Sequence, residues 1–225
     1  MPRTPRRQSK ITAMPLLQIR ELDAHTLLGV WLLDETPDAL RTLLPAHLNP
    51  DESLQLAHPR RQREWLASRA LTYQLLQRFT DQPLALLRDA TGKPVFAGTP
   101  FQLSITHSPC LAAVILSEKY DVGIDIELVT AKALRVADKF LTDQEKVFTA
   151  DDEQRTCLYW SAKETLYKMY SQKRLIFKEN LLVEPSQSPE NNLLQGHVIT
   201  DNFSKLYQIH HEVLHNHVLT YSVDR

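Results

Sequence analysis

The 225-residue sequence holds only two cysteines, Cys110 and Cys157. Two thiols are too few for a disulfide framework or a cysteine-based zinc site, so they read as reduced thiols of a cytosolic protein. Cys110 is expected to be a small buried hydrophobe. Neither sign of charge is in excess: 26 Lys and Arg stand against 27 Asp and Glu, a net charge of −1. No overall field would hold such a chain on nucleic acid or membrane, so any anion binding must come from a local cluster. No apolar run reaches the length of a membrane span, and no internal repeat or low-complexity tract is present. The basic opening, with Arg3, Arg6, Arg7 and Lys10, lacks the apolar stretch of a secretory signal. Residues 1–15 are expected to form a disordered extension.

The remaining composition, 43% hydrophobic and 24% charged, is that of an ordinary soluble globular chain. Its length fits one domain or two small ones sharing a core. Leu16–Leu33 ends in a strongly apolar strand. Trp65, Leu66, Ala70, Tyr73 and Leu76 recur at helical spacing and predict an amphipathic helix over His58–Phe79. A Thr-Gly-Lys-Pro turn follows within Arg88–Phe96. Two strands, Phe101–Thr106 and Leu111–Leu116, flank His107-Ser108-Pro109. After the strand VGIDIELV (122–129), Thr142 and Glu145 form a capping box. A long helix is expected over Glu153–Ser171, then strand, polar loop and strand over Leu181–Ile199. A closing hairpin over Ser204–Val223 turns at His215-Asn216-His217. The class is α+β, with a division near Glu118–Asp121. His210, His211, His215 and His217 bracket that last turn without acidic or thiol partners, which reads as a solvated hairpin rather than a metal site.

The chemistry concentrates in two segments. In VGIDIELV, Val122, Ile124, Ile126 and Leu128 occupy one face, and Asp125 and Glu127 share the other. Adjacent carboxylates suit either a solvated edge strand or a divalent cation such as Mg²⁺ or Mn²⁺. In LYWSAKETLYKMYSQK, Leu158, Ala162, Leu166 and Met169 make one apolar face, while Trp160, Glu164, Tyr167, Lys168 and Ser171 lie on another. Glu164 and Lys168 are either a plain ion pair four residues apart or the third carboxylate and the phosphate-binding ammonium of a metal–phosphate site. Arg63, Arg88, Lys93 and His107 lie at turns or on a helix face, where they could gather around a polyanion, and Gly92 would let the backbone approach it.

GKP at 92–94, SITHS at 104–108, GIDIE at 123–127 and WSAKETLYK at 160–168 resemble, in order and spacing, the motifs of the 4′-phosphopantetheinyl transferase superfamily. The length resembles its larger, surfactin-synthetase-activating branch. That resemblance implies two similar α/β halves related by a pseudo-twofold, 16–118 and 119–225, with the active site at their interface. It implies transfer of the phosphopantetheine arm of coenzyme A to a serine of an apo acyl or peptidyl carrier protein, releasing adenosine 3′,5′-bisphosphate. By position, Asp125, Glu127 and Glu164 would ligate Mg²⁺ (or Mn²⁺), and Glu164 would also serve as base for the serine hydroxyl. Lys168 would neutralise the leaving phosphate. Arg63, Arg88, Lys93 and His107 would grip the substrate's phosphates, with Ser104 and Thr106 lining the nucleotide and Asp125 and Lys168 completing the coenzyme A contacts. A cytoplasmic monomer acting on neither nucleic acid nor membrane is expected.

Two features depart from the pattern. Ser171 stands where the family often has glycine, so the helix must end another way, and Arg60, Arg61, Arg63 and Arg69 compete for one family position, with Arg63 favoured. Trp160 is expected to pack between the halves. An inactive coenzyme A- or carrier-binding protein and a Mg²⁺-dependent nucleotide-diphosphate hydrolase are the competing functional classes.

Overall fold

The computed structural model describes residues 16–172, 174–185 and 192–225; the basic opening stretch lies outside them. In chain order the elements are β1 (Leu16–Asp23), β2 (Thr26–Leu32), α1 (Pro37–Arg41), α2 (Pro59–Leu76), β3 (Leu86–Arg88), β4 (Pro94–Phe96), β5 (Gln102–His107), β6 (Leu111–Ser117) and β7 (Asp121–Leu128). There follow α3 (Lys132–Arg135), α4 (Asp143–Thr149), α5 (Glu153–Tyr170), α6 (Phe177–Asn180), β8 (Leu181–Pro185), β9 (Leu193–Thr200), β10 (Phe203–Leu214) and β11 (His217–Asp224). The first sheet has the order β1-β2-β6-β5 and the second β7-β11-β10-β9-β8, while β3 and β4 form a separate ribbon. Every ladder among the described residues is antiparallel.

Period-two alternation sets the layering. In β6, Ala112, Val114 and Leu116 face α2, with Leu66, Leu71 and Leu75 in the same core. The intervening Leu111, Ala113 and Ile115 pack with Leu28 and Val30 against Val122, Ile124, Ile126 and Leu219 of the second sheet. The far face of that sheet, with Val183, Val198, Tyr207 and Ile209, covers Ala162, Leu166 and Met169 of α5. The result is helix, sheet, sheet, helix. The strands of the middle layers are buried on both sides, which is why β6 reads as an unbroken apolar run.

Local chemistry places the helix ends. Pro59 opens α2 behind His58, whose ring accepts from the Arg60 amide. Asp152 caps α5 by accepting from the Arg155 N–H at 2.8 Å. The predicted capping box of Thr142 and Glu145 is present at α4. At its other end α5 stops on Ser171, which takes the left-handed conformation (φ 56°) usually given to glycine. The Ser171 hydroxyl donates to the Lys168 carbonyl at 2.6 Å. The closing hairpin turns through His215 and Asn216, both at positive φ (47° and 59°). Cys157 is buried as a structural thiol would be, whereas Cys110 is exposed, contrary to expectation, because the turn after β5 carries it out of the sheet.

One buried charge braces the second half of the chain. Lys163, fully buried on α5, donates to Glu145 Oε2 at 2.8 Å and to the Phe140 carbonyl at 2.6 Å. Glu145 also accepts from the amides of Thr142 and Val183, so this cluster ties α4, α5 and β8 together. Removing one partner of such a pair strands the other charge. Lys163→Met is therefore expected to destabilise the protein by about 3 kcal/mol, read as a lowered midpoint in urea unfolding with an unchanged slope.

Candidate functional site

The two large sheets meet edge to edge where β5 runs beside β7, and side chains replace a backbone ladder there. The N–H groups of Ile124 and Ile126 leave β7 on the edge away from β11. Ser104 Oγ accepts from Ile124 at 3.2 Å, and Thr106 Oγ1 accepts from Ile126 at 3.2 Å. Thr106 then donates to Asp125 Oδ1 at 3.1 Å. On its other side, Asp125 Oδ1 receives Lys168 Nζ of α5 at 2.8 Å, and that ammonium also donates to the Ile124 carbonyl at 2.8 Å.

Lys168 can reach Asp125 because α5 lies close to β7. A Cβ on Gly123 would come within 2.9 Å of both Met169 and the Thr165 carbonyl. Thr165 and Ser161 hold the same helix to Thr220 of β11 through hydroxyl contacts of 2.7 and 2.8 Å. The glycine of GIDIE is thus a spacing residue that brings one turn of α5 onto the acidic strand.

Three carboxylates share this place electrostatically. Burial, then Asp125, and to a lesser degree Glu127, push the Glu164 carboxyl up to about 7, against the lowering effect of Lys168. Glu127 is raised by burial and by Asp125, against a hydrogen bond donated by Trp160 Nε1 at 3.0 Å. Asp125 Oδ2 is buried with no hydrogen-bond partner. An oxygen-only donor set with an orphaned buried carboxylate oxygen suits a hard divalent cation. Among the described residues no three acidic, histidine or cysteine side chains stand together in a way that could hold a metal ion as they are. Lys168 holds Asp125 and Trp160 holds Glu127 instead.

Cationic cavities adjoin the acids. One of about 250 Å³ joins Arg88, Gly92 and Lys93 to Ser104, Tyr167 and Lys168, and so draws its walls from both sheets' segments. A second of about 460 Å³ is lined by Arg61, Glu64, Trp65, Arg69, Arg88 and His107. The Arg69 guanidinium lies 3.6 Å above the Trp65 ring. Burial, with Arg88 nearby, lowers Arg69 to about 10. A third of about 570 Å³ runs from Arg60, Arg61 and His107 to Glu127, Lys132 and Trp160.

The model of the 4′-phosphopantetheinyl transferase superfamily matches residues 121–222, and that of the 4′-phosphopantetheinyl transferase N-terminal domain matches residues 49–117. Residues 49–117 and 121–222 are thus similar to the two domains of 4′-phosphopantetheinyl transferases. It is 34% identical over 93 residues to the 4′-phosphopantetheinyl transferase AcpT of Escherichia coli O157:H7, a match covering 41% of this chain and 46% of that protein. It is 36% identical over 70 residues to the AcpT of Salmonella typhi, covering 31% of this chain and 34% of that protein. The matches span less than half the length of either curated relative.

The structure brings Asp125, Glu127, Glu164 and Lys168 together at the seam, with Arg88, Lys93 and Ser104 on the smallest of the three cavities. His107 lies where the other two meet. Arg63 lines none of the three, whereas Arg61 and Arg69 do. Thr106 is buried, its hydroxyl committed to β7 and Asp125. Lys168 spans to Asp125 instead of pairing along the helix with Glu164. Trp160 does not pack between the two sheets: its ring sits against Phe140 and Phe177 in the α5 core and its N–H reaches Glu127. Lys163 and Glu64 were not singled out from the sequence. Lys163 had a legible signal, since it sits one residue from Ala162 and four before Tyr167, within the buried flank of α5. Glu64 has a weaker one, an acid three and four residues after Arg61 and Arg60.

Because Gly123 sets the distance between α5 and β7, Gly123→Ala is expected to lower stability by about 2 kcal/mol through overpacking. Thermal unfolding of the variant beside the parent protein measures it.

Proposed function

We propose that the chain transfers the 4′-phosphopantetheine arm of coenzyme A to a serine of an apo acyl or peptidyl carrier protein. The observation that carries this reading is the juxtaposition, across one seam, of three carboxylates with a cationic cavity that both sheets' segments build. A diphosphate needs this arrangement: fixed cations for its oxygens, and acids that hold a metal and take a proton.

The fit of the donor set supports Asp125, Glu127 and Glu164 as the residues that would hold Mg²⁺. When bound, the ion would withdraw charge from the diphosphate. Arg88 and Lys93, with Ser104 at the floor of their cavity, would bind the nucleotide portion of coenzyme A. Arg61, Arg69 and His107 offer a second cationic wall for its phosphates, and Arg61 and Arg69 are better placed than Arg63. Lys168, already at the join between acids and cavity, would neutralise the leaving group. Glu164 would take the proton of the carrier serine, directly or through a water. The serine oxygen then bonds to the phosphorus bearing the pantetheine arm. The bond to the bridging oxygen breaks, and adenosine 3′,5′-bisphosphate leaves.

The reading extends to architecture. The four-stranded sheet with α2 and the five-stranded sheet with α5 are taken as two halves, 16–118 and 119–225, of the larger, surfactin-synthetase-activating type, related by a pseudo-twofold. A chain carrying both halves has a complete site and would act as a cytoplasmic monomer.

Incubation with coenzyme A, Mg²⁺ and an apo acyl carrier protein, followed by intact mass of the carrier, tests this. The expected result is a gain of one phosphopantetheine arm, abolished by EDTA and reduced at least a hundredfold in rate by Glu164→Gln, the scale of a lost proton-transfer group (about 10²). Loss of coenzyme A without any carrier would favour a hydrolase instead, and binding without transfer to several carriers would favour an inactive binder.

A further inference from the structure

Glu64 is a carboxylate only 1% exposed, in the second turn of α2. Burying a charge is costly unless neighbours compensate it, and here the neighbours are other members of the cationic wall. Glu64 Oε1 accepts from Arg60 Nε at 2.7 Å. Its other oxygen, Oε2, lies 3.4 Å from His107 Nδ1 and 3.7 Å from Arg61 Nη1. That oxygen is buried and has no completed hydrogen bond. His107 and Arg61 are also the two side chains shared by the two larger cavities. A buried acid therefore sits behind the pair of cations that stand where those cavities join.

We propose that Glu64 is a positioning residue: it holds His107 through Nδ1 and steadies Arg61, so that His107 Nε2 and the Arg61 guanidinium face the phosphates of the bound substrate. This rests on the transferase reading above for the identity of that substrate. Imidazole has two distinct nitrogens, and the partner of one decides what the other presents. With Nδ1–H donated to a carboxylate, Nε2 faces the cavity, and it donates to a phosphate oxygen once the ring takes up its second proton there.

The surroundings of His107 explain why such an anchor is needed. Burial disfavours its protonated form, and Arg61 on α2, Lys168 on α5 and Arg60 on α2 repel it as well; Glu64 is the group that opposes them. Glu127 and Lys132 share the cavity on its other side. Without Glu64, Arg60 and Arg61 would lose the acid they share beside His107 and would swing toward water. Arg60, half exposed, and Arg61, two-thirds exposed, are free to do so.

Two measurements test the proposal. The first is coenzyme A affinity in a double-mutant cycle of Glu64→Met and His107→Ala, since residues that act through one another are non-additive. Glu64→Met is expected to weaken binding about tenfold in the parent protein, the scale of one charge-assisted contact, and less than about threefold when His107 is already alanine. The second is the ¹⁵N spectrum of the His107 imidazole above its titration range. It should show the Nδ1–H tautomer in the parent protein and the Nε2–H tautomer in Glu64→Met. Should that variant fold poorly, Glu64→Gln, which keeps the side chain's shape, carries the same comparison with a smaller effect. Equal weakening in both backgrounds with an unchanged tautomer would overturn the proposal and leave Glu64 a packing residue. A parent protein that binds no coenzyme A would overturn the transferase reading. An altered imidazole in Glu64→Met would then still uphold the Glu64–His107 contact, and an unaltered one would overturn it.

Discussion

A carboxylate only 4% exposed in the middle of a strand is the constraint on which the rest of this molecule depends. Moving Asp125 out of water costs several kcal/mol before any partner is found. Thr106 from one sheet and Lys168 from α5 both converge on Oδ1, and together they offset that cost. They leave Oδ2 without a partner. A core built only for stability would have replaced the acid with an apolar side chain. The fold instead arranges its elements around the chemistry of one buried carboxyl group.

Much of the local architecture follows from that arrangement. Asp125 can meet Lys168 only if α5 lies against β7, which Gly123 permits and the threonine and serine contacts to β11 secure. Asp125 can meet Thr106 only if β5 lies along the free edge of β7, and there the hydroxyls of Ser104 and Thr106 satisfy amides that a continuous ladder would have paired. The same edge-to-edge meeting carries the Arg88–Lys93 turn to the end of α5, which creates the cavity between them. Sheet pairing, helix approach and cavity thus have a common origin at the seam.

The sequence displayed the elements well and the seam poorly. Alternation in β6 and β7, the spacing of Trp65 to Leu76 and the capping box at Thr142 each rest on interactions within a few residues, so periodicity exposes them. The two acids of VGIDIELV and the Glu164–Lys168 helix were visible as chemistry for the same reason. What did not show was which long-range partner each would take. Lys168 stands four residues after Glu164 yet pairs with Asp125, because a buried acid on the adjoining strand β7 needs it more than a half-buried one on its own helix. Arg63 is one residue from Glu64, but helical phase turns Arg61 and Arg69 toward the cavity instead. Trp160 belongs to the α5 core for a similar reason: Phe140 and Phe177 come from flanking segments whose packing no local pattern reveals. The exposure of Cys110 has no local signal, because the turn that exposes it depends on the Leu111 N–H donating back to Ser108 Oγ.

The central claim is that the two-signed seam receives the diphosphate of coenzyme A. A crystal structure of the protein grown with coenzyme A and Mg²⁺ tests it most directly. The account predicts electron density for the diphosphate between Lys168 and the Asp125, Glu127 and Glu164 carboxyl groups, with the nucleotide against Arg88 and Lys93. Coenzyme A bound away from the seam, with Lys168 still on Asp125, would contradict it.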